Sequence, residues 1–154
     1  MVLADAGATE AAGRALAPLL RAGDVVTLSG DLGAGKTSFA RGVLAALGLA
    51  GEAPSPTFAI VQPYAPPELS LPVAHVDLYR IEDPVEAAEL GLEDYALTGA
   101  LLVEWPERLP DAAWTGALRL RLEPEGDGRC LTWEVPAAWE ARWPPPNPTL
   151  EPAR

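Results

Sequence analysis

Gly30-Asp31-Leu32-Gly33-Ala34-Gly35-Lys36-Thr37 is the stretch on which the reading of this chain turns. It matches G-x-x-x-x-G-K-S/T at every fixed position. A glycine-rich backbone folds into a nest whose N–H groups surround phosphate oxygens. A helix beginning at Lys36 adds the positive end of its dipole. In such a P-loop Lys36 reaches the β- and γ-phosphates, and the Thr37 hydroxyl binds Mg2+. The motif requires a strand before it and a helix after it. Residues 25–28, Val-Val-Thr-Leu, read as a short buried strand. Residues 36–47 read as a helix, with Phe39, Ala40, Val43, Leu44 and Leu47 on one side and Gly48 at its end. Asp31, Leu32, Gly33, Ala34, Gly35, Lys36, Thr37 and Ser38 are thus candidate nucleotide-binding residues. A chance glycine-rich turn is the alternative, and both flanks argue against it.

Working outward, residues 9–22 predict a helix whose Ala12, Leu16, Leu19 and Leu20 share a face. Pro18 predicts a kink or an early end. After the P-loop helix come a loop at 54–56, a strand at 58–64, a surface loop at 65–72 and a strand at 73–79 interrupted by His75. Asp83 caps a helix that starts at Pro84, with Glu86 three residues on, and stops near Gly91. Residues 100–104 predict a buried strand. Alternating residues 118–122 and 131–135 predict a hairpin around a turn segment at 124–129. Trp133, Trp139 and Trp143 predict packing positions. The order implies a three-layer α/β domain over residues 1–143, with a mostly parallel sheet and the C-terminal antiparallel hairpin at one edge. Residues 144–154, with Pro144, Pro145, Pro146, Pro148 and Pro152, predict a frayed tail.

A P-loop needs an acidic partner for its metal, and two candidates end strands. Asp77 follows Val73-Ala74-His75-Val76, and Glu104 follows Leu101-Leu102-Val103. The second run is the more apolar, as expected of a central strand carrying an acid to its C-terminal edge, where open α/β sheets bind ligands. Such carboxylates hold Mg2+ directly or through water, or orient an attacking water; either could instead be a cap or ion pair. Ser55-Pro56-Thr57 lies where P-loop switches carry a γ-phosphate sensor, although an ordinary turn reads equally well. Trp105 could stack on adenine or simply pack. His75, the only histidine, has no neighbours at metal-ligand spacing and reads as a hydrogen-bonded strand residue.

Composition bounds the partners. The net charge of −11 disfavours direct nucleic-acid binding, which draws its affinity from neutralised phosphates. Ten of the 11 basic residues are arginine, scattered along the chain with none expected as a finger beside the loop, and the single lysine is Lys36. No lysine remains for the guanine-reading N-K-x-D of Ras-like GTPases, so ATP is expected over GTP. Cys130 is alone, so no internal disulfide forms. No apolar run approaches the roughly 18 residues of a membrane span. Residues 1–9 include Asp5 and show no secretory pattern. A cytoplasmic protein without membrane attachment is expected.

The ordered set GDLGAGKTSFARG from Gly30, SPTF from Ser55, HVDLYR from His75, ELGLEDY from Glu89 and VEWPER from Val103 resembles the TsaE family, also called YjeE. The likeness spans about Thr9 to Val135. The P-loop alone is common; the last motifs together are far more specific. The resemblance implies a bacterial ATPase needed to make threonylcarbamoyladenosine in tRNA, acting with TsaB and TsaD. It implies that Lys36 and Thr37 bind phosphate and Mg2+, that Glu104 is the metal carboxylate, and that Asp77 is a Walker-B-like residue for hydrolysis. Thr57 becomes a switch residue and Trp105 a neighbour of the nucleotide. Thr9 and Arg129 fall where the family's N-terminal helix and hairpin approach the base. Ser38 departs from the second Thr of many members but keeps the hydroxyl. Two other readings of the loop are a small-molecule kinase, which needs a second substrate pocket, and a nucleotide-gated binding module that hardly hydrolyses.

Overall fold

The structure, a computed structural model, describes residues 1–51, 53 and 60–144. Its elements in chain order are β1 (Val2–Leu3), α1 (Ala6–Leu16), β2 (Val25–Ser29), α2 (Lys36–Ala46), β3 (Val61–Tyr64), β4 (Val73–Asp77), α3 (Pro84–Ala88), α4 (Leu92–Thr98), β5 (Ala100–Glu104), β6 (Leu118–Glu125) and β7 (Gly128–Glu134). The strands form one sheet in the order β1-β7-β6-β2-β5-β4-β3. The four central strands, β6, β2, β5 and β4, are mutually parallel. β3, β7 and β1 pair antiparallel at the two edges. Pro63 is tolerated in β3 because an edge strand has one side free of ladder bonds.

Alternation along the strands sorts side chains into two layers. Ala100 and Leu102 of β5, Leu118, Leu120 and Leu122 of β6, and Val73 of β4 pack under α1 and α2 with Leu16, Phe39, Val43 and Leu44. Leu101 and Val103, with Ala74 and Val76, face the opposite layer and meet Leu92, Tyr95, Leu109 and Trp114. The helices α1 and α2 cross closely enough to need glycine. A Cβ on Gly42 would lie 2.0 Å from the Glu10 carbonyl oxygen, and one on Gly13 would lie 2.1 Å from that of Phe39. This crossing seats the start of α1 beside the P-loop.

Several elements differ from the sequence reading. α1 begins earlier because Asp5 caps it, its Oδ1 accepting from the Ala8 N–H at 2.8 Å. It also ends earlier, tightening into a 3-10 turn at Ala17–Leu19 that contains Pro18. The strands predicted at 58–64 and 73–79 are observed as Val61–Tyr64 and Val73–Asp77, residues 58 and 59 lying outside the described set. α4 is an addition to the sequence reading, which assigns no element between the stop near Gly91 and residue 100; Gly91, at φ +66°, both follows α3 and precedes the new helix. The hairpin strands are longer than expected. Pro124 pairs with Arg129 and Glu125 with Gly128, leaving only Gly126 and Asp127 as the turn. β6 joins β2 in parallel, because the crossover through residues 105–117 returns the chain to the same sheet end.

Trp139 and Trp143 are buried, at 1% and 2% exposure, as their packing reading requires. Arg142 locks this end down: it donates to Asp24 Oδ2 at 2.7 Å and to the Leu19 carbonyl at 2.8 Å, and lies 3.8 Å from the Trp139 ring centre. The tail predicted at 144–154 lies, apart from Pro144, outside the described residues. No described helix is long and apolar enough to cross a membrane.

Candidate functional site

Parallel strands deliver their last residues to one edge of the sheet, and here three of them converge. β2 runs into the glycine loop. Glu104, the last residue of β5, stands in register with Leu28 of β2 and with Asp77, the last residue of β4. Asp77 and Glu104 are both buried, at 3% and 2% exposure. The loop closes over them with Gly30, Gly33 and Gly35 at φ +143°, +77° and +100°. Gly30 is also sterically required, since a Cβ there would lie 2.3 Å from the Leu122 carbonyl oxygen.

Lys36 and Thr37 open α2 beneath the loop. The Lys36 ammonium donates to the Gly30 carbonyl and, at 3.0 Å, to the Asp31 carbonyl. It also lies 4.0 Å from the centre of the Trp105 ring. Burial pulls its pKa below the ordinary lysine value, while Glu104, Glu107, Asp77 and Asp31 push the other way. Thr37 Oγ1 donates to Glu104 Oε1 at 3.1 Å. On the far side of Glu104, His75 Nε2 lies 2.6 Å from Oε2. The Tyr79 N–H donates to Asp77 Oδ1 at 2.9 Å, fixing that carboxylate, and the Tyr79 ring meets Trp105 at 5.0 Å. Trp105 itself sits at φ +59°, half-buried, with its ring over Lys36 and packed against the core layer of Val76 and Val103.

A cavity of about 400 Å³ opens over these groups. That is within the size range of small-ligand pockets. Of the predicted site residues, Leu32 through Ser38, Asp77, Glu104, Trp105, Thr9 and Arg129 all line it. Asp31 contributes its carbonyl to Lys36. Thr57 lies outside the described residues, as does the rest of the SPTF motif. Thr9 is buried, and its hydroxyl donates to the Asp5 carbonyl at 3.2 Å while its methyl faces Gly35. Asp5, Tyr79 and Asp127 also line the cavity and were not singled out from the sequence. Only the Tyr in HVDLYR lay inside a quoted motif.

Arg129, which the family resemblance put near the base, donates to the Gly33 carbonyl at 2.7 Å and to its neighbour Gly128's carbonyl at 2.8 Å, so the loop's own backbone holds it. It reaches the loop because the hairpin pairing extends to Arg129, whose partner across the other edge is Leu3.

The donor set can be tested for Mg2+. This ion usually takes one or two carboxylates and completes its shell with water and phosphate oxygens. Thr37 and Glu104 supply a hydroxyl and a buried carboxylate side by side. Among the described residues no group of three or more His, Cys, Asp or Glu could hold a metal alone. The residues therefore fit a cation shared with a phosphate ligand, not a self-sufficient protein cage.

With this geometry in view, the sequence profile described as threonylcarbamoyl adenosine biosynthesis protein TsaE matches residues 3–131. A protein named tRNA threonylcarbamoyladenosine biosynthesis protein TsaE from Synechocystis sp. is 45% identical over 113 residues, 70% of each chain. Its namesake from Bacillus subtilis is 39% identical over 120 residues, covering 77% of this chain and 73% of that one. The crystal structure of YdiB from Bacillus subtilis superposes with a TM-score of 0.73 at 32% identity, covering 92% of this chain and 88% of that one.

Proposed function

The chain belongs to the TsaE family of threonylcarbamoyl adenosine biosynthesis proteins, and from that membership we propose a cytoplasmic, Mg2+-dependent ATPase that serves this tRNA modification together with TsaB and TsaD. One observation carries the enzymatic part. A lysine, a hydroxyl and a buried carboxylate meet at the mouth of a glycine loop, with Thr37 Oγ1 3.1 Å from Glu104. That is the equipment for holding a triphosphate and its cation.

Each residue's role follows from its position. Lys36 exchanges the Gly30 and Asp31 carbonyls for phosphate oxygens when ATP enters, so its charge is already aimed at the right place. Thr37 and Glu104 would hold Mg2+, which when bound neutralises charge on the β- and γ-phosphates. Asp77, fixed by the Tyr79 N–H, is the carboxylate placed to orient the attacking water. Trp105 screens Lys36 from solvent. Thr9 and Arg129 border the side of the cavity assigned to the base. Thr57 is the family's switch residue. Lys36 being the only lysine, the chain has no means of reading guanine through a lysine.

Turnover by the chain alone is slow in this account, because Arg129 is engaged with the loop's own carbonyl rather than presented to the phosphates. The charge of −11 leaves tRNA to be held by the partners. The test is ATP turnover by the chain alone and with TsaB and TsaD, in Mg2+ and in chelator. Slow, Mg2+-dependent turnover that changes when the partners are added is expected. Fast turnover indifferent to them points to a free-standing enzyme such as a kinase. Tight binding without hydrolysis in any mixture leaves a nucleotide-gated module.

A further inference from the structure

The strand pattern leaves one buried polar side chain that the proposed chemistry does not use. His75 sits in the middle of β4, in register with Leu102 of β5, and is 0% exposed. Alternation puts it on the same face as Val73 and Asp77, the face that lies under α2. There its Nε2 lies 2.6 Å from Glu104 Oε2, while Nδ1 is buried with no hydrogen-bond partner. An ionised carboxylate only accepts hydrogen bonds, so Nε2 carries the hydrogen and donates it. Nε2 is thus the ring nitrogen that faces Glu104 as a donor, and Nδ1 is left with no partner.

Glu104 is thereby gripped from two sides. Thr37 Oγ1 reaches Oε1 at 3.1 Å, and His75 reaches Oε2. Without the histidine only Thr37 would hold the carboxylate against rotation about its last torsion, a broad and roughly two-fold one. It would also lose a buried partner that offsets the desolvation of its charge. We infer that His75 is a positioning residue: its Nε2–H holds one oxygen of Glu104 so that the other stays on the Thr37 side, where the cation of the nucleotide complex would be held. The inference rests on the Mg2+-ATPase reading above. Donors behind a metal carboxylate commonly matter to metal affinity about 10- to 100-fold.

The full chain allows a clean test, since His75 is its only histidine and its ring nitrogens give unambiguous NMR signals. The wild-type protein is expected to show the Nε2–H tautomer, and Glu104→Gln to change the Nε2 signal. An Nδ1–H tautomer overturns the inference without any variant. Mn2+ binding to the ADP-loaded chain, followed by electron paramagnetic resonance, then measures the consequence. His75→Phe, which fills the space but cannot donate, should weaken Mn2+ about 10- to 100-fold. That loss should exceed any loss in metal-free ADP affinity. His75→Gln, which keeps an N–H donor, should recover most of it. In a Glu104→Gln background His75→Phe should cost little more, because the two act as one unit. Equal Mn2+ affinity in wild type and His75→Phe overturns the inference. So does a parallel fall in Mn2+ and ADP affinity that Gln does not rescue, which marks a purely structural histidine. If the wild-type chain binds ADP but no Mn2+, the Mg2+ reading itself fails, and the positioning role falls with it.

Discussion

The two sides of the cavity are built on different principles. On the strand-end side, Lys36, Thr37, Asp77, Glu104 and His75 are all buried or half-buried, and each carboxylate is tied to a named donor. Their positions are set by parallel strands whose register leaves little freedom. On the hairpin side, Asp5 and Thr9 come from the cap and first turns of α1, Asp127 from the two-residue turn and Arg129 from the start of β7, and Asp5 and Asp127 are exposed. One side is preorganised for charge. The other is a rim whose groups meet only because β1 pairs with β7 and α1 crosses α2 through two glycines. The lesson is a division of labour: the buried side should govern whether chemistry occurs, and the rim how well the nucleotide is held.

The largest effect should come from Lys36→Ala. No other lysine exists to replace the charge, so nucleotide affinity measured by calorimetry should fall at least about a hundredfold, the scale of charge-assisted hydrogen bonds lost together. Near wild-type affinity would erase the contrast between the two sides. Next is Glu104→Gln. An amide keeps the shape but loses the charge that holds a hard cation. Mg2+-dependent turnover should drop by more than about tenfold, and by more than nucleotide affinity does. Unchanged turnover there, with loss in Asp77→Asn, would move the metal role one strand over.

Arg129→Ala probes the rim. Removing its bond to the Gly33 carbonyl should cost roughly tenfold in nucleotide affinity, with turnover of the bound complex less affected. A turnover defect larger than the affinity defect would place Arg129 with the chemistry instead. The smallest effect is that of pH. Burial lowers the Lys36 pKa, so the ligand-free protein releases this proton below the ordinary value of 10.5, and the unfolded chain holds it longer. Within that window the unfolded state binds more protons, so this lysine's contribution to stability rises with pH. Phosphate binding has the opposite sign, since it needs the ammonium form. ATP affinity should therefore decline as pH rises through the lowered value, by less than about tenfold per unit. A flat profile up to the ordinary lysine value would mean that Lys36 is not desolvated.

The same contrast explains what could be read from the sequence. The P-loop is local, and its glycines, lysine and hydroxyl are dictated by one turn of backbone. Glu104 and Asp77 were legible as acids closing apolar runs, and the central parallel strands followed from those runs. The rim left no such local trace, and Thr9 and Arg129 were reached only through the family resemblance. Asp5 and Asp127 are ordinary cap and turn residues until the sheet edge brings them together, and the position of Arg129 depends on a pairing with Leu3 at the other end of the chain. α4 was missed because glycine at Gly91 reads the same whether it ends a helix or precedes one. His75 was legible as a bonded strand residue, but its partner lies on a neighbouring strand that sequence spacing does not specify.

The most direct test of the central claim is threonylcarbamoyladenosine formation in tRNA over repeated turnovers, in a mixture holding TsaB and TsaD with either this chain or its Glu104→Gln variant. The account predicts sustained product formation that requires the wild-type chain, ATP and Mg2+ together, and that Glu104→Gln fails to sustain it. Equal product with the variant, or with this chain left out, would contradict it.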